Sequence, residues 1–241
     1  VAHHKQVLSN DVIQYIMAAI VSTLTALHDA GVIYRNVHPD GIHVAPTGKL
    51  IFVDYLNSKI CARGNETYTL CGATDHLSPE QIAQTGHSSP VDLWSLGVML
   101  YELCNAGTNP FHCDTEMKTY EKISALGTSA LPSILQKRKS VKGTQSSLES
   151  LIDSLLQPNP EKRLGSQGMK SLQGHGFFQG VSWDTLGSKA SPLAVAAKDE
   201  MENQQMVSGE EGGVPSEVTD NWNSSYVGNG WDEEIDISCP V

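Results

Sequence analysis

Apolar positions along this chain fall into distinct periods. Between residues 9 and 31 they recur at Ile13, Ile16, Met17, Ile20, Val21, Leu24 and Leu27, which predicts one long amphipathic helix. Ser9 and Asn10 supply its cap, and Ala30-Gly31 its stop. Residues 41–44 and 50–53 are short apolar runs joined by Ala45-Pro46-Thr47-Gly48, a hairpin by composition. Residues 57–88 show no clear period and read as a long loop. Residues 90–104 open on Pro90 and are apolar nearly all round through Leu93, Trp94, Leu96, Val98, Met99 and Leu100. A helix of that kind belongs at the centre of a domain. Residues 114–126, 146–157 and 167–174 read as three further amphipathic helices. The pattern predicts a mostly α domain with a small β-hairpin. After residue 188 the composition turns to Ala, Gly, Ser, Asn, Gln and Glu, which predicts a largely disordered segment.

Charge sharpens that boundary. The 241-residue chain carries a formal net charge of −11. Residues 198–241 hold eleven acidic residues against one Lys, so the preceding domain is near neutral. A near-neutral domain with an acidic tail lacks the basic face that nucleic-acid binding needs. The five cysteines are odd in number and form no Cys-x-x-Cys pair, which argues against a disulfide framework or a zinc site and favours a reducing, cytoplasmic setting. No uncharged apolar run reaches the roughly 18 residues of a membrane span, so no membrane partner is expected.

The chemistry concentrates in residues 33–59. Tyr34-Arg35-Asn36-Val37-His38-Pro39-Asp40-Gly41 is followed by the hairpin and then by Asp54-Tyr55-Leu56. Downstream come Thr69-Leu70-Cys71-Gly72-Ala73-Thr74-Asp75-His76-Leu77-Ser78-Pro79-Glu80, then Val91-Asp92-Leu93-Trp94, Glu161-Lys162-Arg163, and His175-Gly176-Phe177-Phe178. In this order they resemble the catalytic loop, metal-binding turn, activation segment, central helix, buried Arg and closing helix of a protein-kinase large lobe. The Tyr-Arg start of the loop, Thr-Leu-Cys-Gly and Val181-Ser182-Trp183-Asp184 are similar to the cyclic-nucleotide-dependent (AGC-type) serine/threonine kinases. The resemblance runs over residues 10–186. It implies a kinase-like large lobe at 1–187 and an AGC-type tail at 188–241. In that tail Trp231-Asp232-Glu233-Glu234-Ile235 resembles the segment that clamps onto a small lobe. No Gly-x-Gly-x-x-Gly precedes residue 33, so the expected small lobe would lie outside this chain.

The resemblance also assigns roles. Phosphoryl transfer relies on placed charge: metals bridging phosphates, a carboxylate taking the hydroxyl proton, and cations over the developing charge. Asn36 stands at the base position, where an amide carries no charge and accepts no proton at neutral pH. His38 stands where the family has a phosphate-contacting Lys, and Gly41 where it has a metal-ligating Asn. His43 replaces an aliphatic floor under the nucleotide base. Asp54 keeps the metal-binding carboxylate, while Leu56 replaces the Gly that lets the metal-binding turn flip. Ala73 replaces a Thr that bridges to the base. Mg-ATP, the family's cofactor, is therefore expected to bind weakly or not at all.

The scaffold positions stay intact. Arg35, Lys59 and Thr69 match a phosphothreonine site in which two cations hold a phosphorylated activation loop. Glu80 and Arg163 match a buried ion pair, and Asp92 a carboxylate that hydrogen-bonds the catalytic-loop backbone. Asp40, Asp75 and Glu102 match acids that read Arg in a substrate peptide, and Leu70 and Leu77 match an apolar pocket beside them. The expectation is a pseudokinase-like module that binds basic peptides or partner proteins. The alternative is an active kinase completed by a small lobe elsewhere. His3-His4 and His87 read as solvated residues.

Overall fold

The structure is a computed structural model that describes residues 8–45, 47–62, 64–125, 144–186 and 191–193. The expectations for the tail beyond Leu193, for Trp231 to Ile235, for His3-His4 and for the last residue of the helix predicted over 114–126 lie outside the described residues.

The first helix, α1, spans Asn10–Asp29. The Ser9 hydroxyl accepts from Val12 N at 3.4 Å, satisfying one of the helix's free N–H groups. By length and composition α1 is apolar enough to cross a membrane. Its stripe of Ile13, Ile16, Met17, Ile20, Val21 and Leu24 is instead buried in the protein core. Next come two short strands, β1 (Val32–Ile33) and β2 (Ile42–Val44), with the catalytic-loop residues between them. β3 (Leu50–Phe52) pairs antiparallel with β2 in the register Ile42 to Phe52, His43 to Ile51 and Val44 to Leu50. Ile42 and Phe52 face inward, while His43 and Ile51 face out. β4 (Lys59–Ile60) returns antiparallel to β1.

The stretch read from sequence as an aperiodic loop contains β4, a 3-10 turn at Thr74–His76 and a short helix, α2 (Pro79–Ala83). These elements are too short to show a period, so only pairing and packing reveal them. The helix α3 (Pro90–Cys104) matches its predicted bounds, and nearly every residue in it is buried. It packs on α1 and on α5 (Thr144–Leu155). The approach to α5 is close: a Cβ at Gly97 would lie 2.9 Å from Leu155 Cβ and from Leu156 Cδ2. α4 (Glu116–Ser124) and α6 (Met169–Gln173) complete the helices, each slightly shorter than its apolar pattern.

One ion pair joins the remote parts of this frame. Arg163 is 1% exposed and meets Glu80 in a fork, Nη1 to Oε1 at 2.5 Å and Nη2 to Oε2 at 2.7 Å. The carbonyls of Gln157, Pro90 and Pro158 accept its remaining N–H groups. The guanidinium lies 5.2 Å from the Trp94 ring centroid, and Trp94 stacks on Phe111. All five donors are thus used, which is what a buried guanidinium requires. We expect Glu80→Ala to lower the unfolding free energy by about 3–5 kcal/mol, because it strands a buried cation. Urea unfolding checks this; a loss below about 1 kcal/mol would contradict the assigned role of the pair.

Candidate functional site

The loop between β1 and β2 carries the candidate site, and its backbone is held from below. Asp92, fully buried in the first turn of α3, accepts from Tyr34 N at 2.9 Å and from Arg35 N at 2.7 Å. Its Oδ2 also meets His28 Nε2 at 2.8 Å, a partner from the end of α1 that sequence reading missed. The two backbone bonds fall where Arg35 adopts φ of 60°, a left-handed conformation costly for a residue with a Cβ. The activation segment crosses this backbone at Gly72, which has φ of 116°. A Cβ there would come within 2.8 Å of the Arg35 carbonyl oxygen, so only glycine fits.

Asn36 is 4% exposed and lies between two partners. Its Nδ2 donates to Asp54 Oδ2 at 3.0 Å, and its Oδ1 accepts from Asn57 Nδ2 at 3.3 Å. Asp54 Oδ1 accepts from Leu56 N at 3.0 Å. Leu56 is 94% exposed and lies outside the left-handed region, so a side chain is accommodated in this turn. At Gly41, a Cβ would lie 3.0 Å from the Asn36 carbonyl oxygen and 3.2 Å from His38 Nε2. A side chain there requires these neighbours to give by a few tenths of an ångström. Asp54 is the one carboxylate in this donor set, and Gly41 brings no side-chain oxygen to it. These residues do not fit the carboxylate-plus-amide set with which kinases hold two Mg²⁺ ions. His38 is half-buried; burial and the neighbouring His76 push its pKa below the ordinary value. His43 lies on the open face of the hairpin, with Ile51 and Val53 exposed nearby.

The second group of predicted residues is Arg35, Lys59 and Thr69. Arg35 Nε donates to the Asn57 carbonyl at 2.6 Å, while Nη1 is buried with no hydrogen-bond partner. Lys59 Nζ donates to Thr67 Oγ1 at 3.0 Å, and Thr69 is exposed. His87, expected to be solvated, is 3% exposed, and neither ring nitrogen has a hydrogen-bond partner. Its backbone bridges Thr67, which draws it inside. Burial and the Arg35 charge push its pKa down. A lone His in a stretch without a period gives no sign of burial.

The third group is the acidic face. Asp40 is exposed, Asp75 half-buried and Glu102 7% exposed. The charges of Asp40 and Glu102 both act to raise the pKa of the His38 ring, against the lowering by burial and by His76. His76 is buried between Asp75 and Glu102. One ring nitrogen meets Asp75 Oδ1 at 3.1 Å and the other Glu102 Oε2 at 3.2 Å. Glu102 Oε1 accepts from Asn109 Nδ2 at 2.7 Å, and His112 lies 3.4 Å from Asp75 Oδ2. Burial depresses the His76 pKa, but the two carboxylates more than offset this and lift it to about 9. Leu70 is 40% exposed and Leu77 is buried in the core. Sequence reading missed His76: a His beside an Asp is common, and only the fold brings Glu102 to its other side.

The chain belongs to the protein kinase family; the protein kinase domain matches residues 1–178. Its relatives are serine/threonine and cyclic-nucleotide-dependent protein kinases of the AGC type. It is 33% identical over 186 residues to serine/threonine-protein kinase SCH9 of Saccharomyces cerevisiae, covering 76% of this chain and 21% of that protein. It is 34% identical over 178 residues to cGMP-dependent protein kinase egl-4 of Caenorhabditis elegans, covering 73% of this chain and 22% of the relative. To human cGMP-dependent protein kinase 2 it is 29% identical over 219 residues, covering 88% of this chain and 27% of the relative. The chain thus spans about a quarter of the length of these relatives. The family normally uses Mg-ATP.

The His76 geometry sets a pH dependence. A group whose pKa rises on folding, here from 6.5 to about 9, contributes its full stability below the unfolded value and loses it as pH climbs through the folded one. We expect wild-type stability to fall between about pH 6.5 and pH 9 by an amount on the order of 3 kcal/mol. Glu102→Gln should flatten that slope. Parallel slopes in urea melts of wild type and variant would refute the pairing.

Proposed function

We propose that this lobe is a pseudokinase-like module that binds partner segments and transfers phosphate poorly or not at all. The observation that carries the reading is the Asn36–Asp54 hydrogen bond. At the position of the proton acceptor stands an amide, and its N–H₂ is directed at the single carboxylate left to meet a metal. The tight space at Gly41 supports the same reading. With base and second metal donor both absent, the losses compound, because these groups act on one transition state. Mg-ATP binding is accordingly weak or absent. The second reading, an active kinase completed by a small lobe outside this chain, draws on Asp54 and on the loop backbone that Asp92 keeps in place.

Partner binding is the role left to the frame that Asp92, Glu80 and Arg163 hold together. Asp40, Asp75 and Glu102 favour a basic peptide, and no nucleic-acid or membrane partner is proposed. A cytoplasmic setting is the one that the odd cysteine count favours. Phosphorylation of exposed Thr69 would supply an oxyanion for Arg35 and Lys59. The unpartnered Arg35 Nη1 supports such a switch.

With a related small lobe supplied, we expect γ-phosphate transfer below about 10⁻³ of an active relative's rate, the scale of lost general-base catalysis. A radiolabelled peptide assay measures it. A robust rate abolished by Asp54→Ala would establish the second reading. Asn36→Asp together with Gly41→Asn should recover only part of the activity, because the new Cβ crowds the Asn36 carbonyl. Thermal-shift titration tests the cofactor independently, since ligand binding raises the midpoint by mass action. A shift of several degrees at sub-millimolar Mg-ATP would contradict weak binding.

A further inference from the structure

The acidic face contains its own cation. His76 sits at the end of the 3-10 turn, 6% exposed, with each ring nitrogen on a different carboxylate. That is the arrangement in which a guanidinium would join Asp75 and Glu102. Both Glu102 oxygens are already engaged: Oε2 meets His76 and Oε1 accepts from Asn109. Asp75 is similarly engaged, by His76 at Oδ1 and by the largely exposed His112 at Oδ2.

We propose that His76 is a specificity-determining residue, an internal stand-in for arginine that fills the Asp75–Glu102 site and excludes Arg-bearing peptides until it is deprotonated or displaced. The inference rests on the reading of this face as a peptide site. It adds what that reading lacks, namely the occupant that an incoming peptide has to replace. A neutral ring donates through one nitrogen only and accepts at the other, so it bridges two carboxylates only as an imidazolium. The charged groups around it are consistent with a net attraction. Asp75 and His112 lie beside the turn, Glu102 faces it from α3, and Glu116 of α4 bonds the neighbouring Thr74 hydroxyl. His38 faces it from the catalytic loop, 6.0 Å away ring to ring, and the charge of Asp40 acts on that His38 ring. His38 is the one opposing group with its ring nearby, and its lowered pKa keeps it neutral at pH 7. Exchange of one cation for another across the same two carboxylates leaves local charge unchanged. An arginine therefore gains little where His76 is protonated, and much where it is not.

The test uses the full chain, an acetylated Arg-Arg-x-Ser-Leu peptide and its Ala-Ala counterpart, followed by fluorescence anisotropy at low salt. At pH 7 the wild type should bind the two peptides within about threefold of each other, the small gain left when one cation replaces another. His76→Gln, which removes the charge and keeps a donor, should prefer the Arg peptide by roughly tenfold or more, equivalent to about 1.4 kcal/mol. Raising the wild type to pH 9.5, where Arg stays charged, should produce the same preference without any substitution. The Arg peptide should also raise the melting temperature of His76→Gln more than that of wild type. That comparison tests the idea even if the variant is less stable. A wild type that already prefers the Arg peptide tenfold at pH 7, with no gain in His76→Gln or at high pH, would overturn the stand-in role and leave the peptide site intact. Equal binding of both peptides by both proteins at both pH values would overturn the peptide site and the inference together.

Discussion

The carboxylate of Asp92 is the constraint from which the site follows. It is buried in the first turn of the central helix and accepts from two successive backbone N–H groups of the catalytic loop. Hydrogen bonds to an ionised group contribute about 1.5–3 kcal/mol each, enough to offset the cost of the left-handed Arg35 that they hold. Once that backbone is set, the positions of Asn36, His38 and Gly41 are set with it. His28 adds a tie from the end of α1, so helix, loop and central helix share one anchor. The anchor is indifferent to which side chains the loop presents. The frame can therefore persist while the chemical groups on it change.

The charged groups of the site are turned inward more than the family pattern implies. Asp54 bonds Asn36 and the Leu56 amide, Glu102 and Asp75 bond His76, and Lys59 bonds Thr67. Each of these side chains satisfies a neighbour, so a ligand arriving there has to exchange one partner for another. Exchange yields less free energy than filling an unpaired site, because the protein loses a bond as it gains one. Arg35 Nη1 and the His87 ring nitrogens are the contrast: buried polar atoms with no hydrogen-bond partner. Unpartnered buried donors are costly, and they reward any oxyanion brought to them.

Much of the fold was legible because it rests on period and on punctuation. The α1 stripe, the all-round apolar α3, and the hairpin of residues 42–44 with 50–52 come from patterns that few other structures accommodate. Glu80 and Arg163 were recognisable only as members of a motif, since nothing local marks a buried ion pair. The short elements between residues 57 and 88 were not legible. Two or three residues of strand or 3-10 turn carry no period, and β4 exists only because β1 lies across from it. Of the site, the substituted positions could be read one by one, because each is a chemical identity at a place in a known order.

The sequence by itself determined the longer helices, the kinase frame and the absence of a carboxylate at residue 36. These depend on residue type and spacing along the chain. Tertiary structure alone decided who meets whom. It placed Asn36 against Asp54, crowded the space at Gly41, buried His87, and brought Glu102 from α3 to the far side of His76. The reason is physical: hydrogen bonds, burial and charge act over a few ångströms in space. The residues involved are separated by up to 26 positions in the chain, as His76 and Glu102 are, and no local pattern encodes that approach.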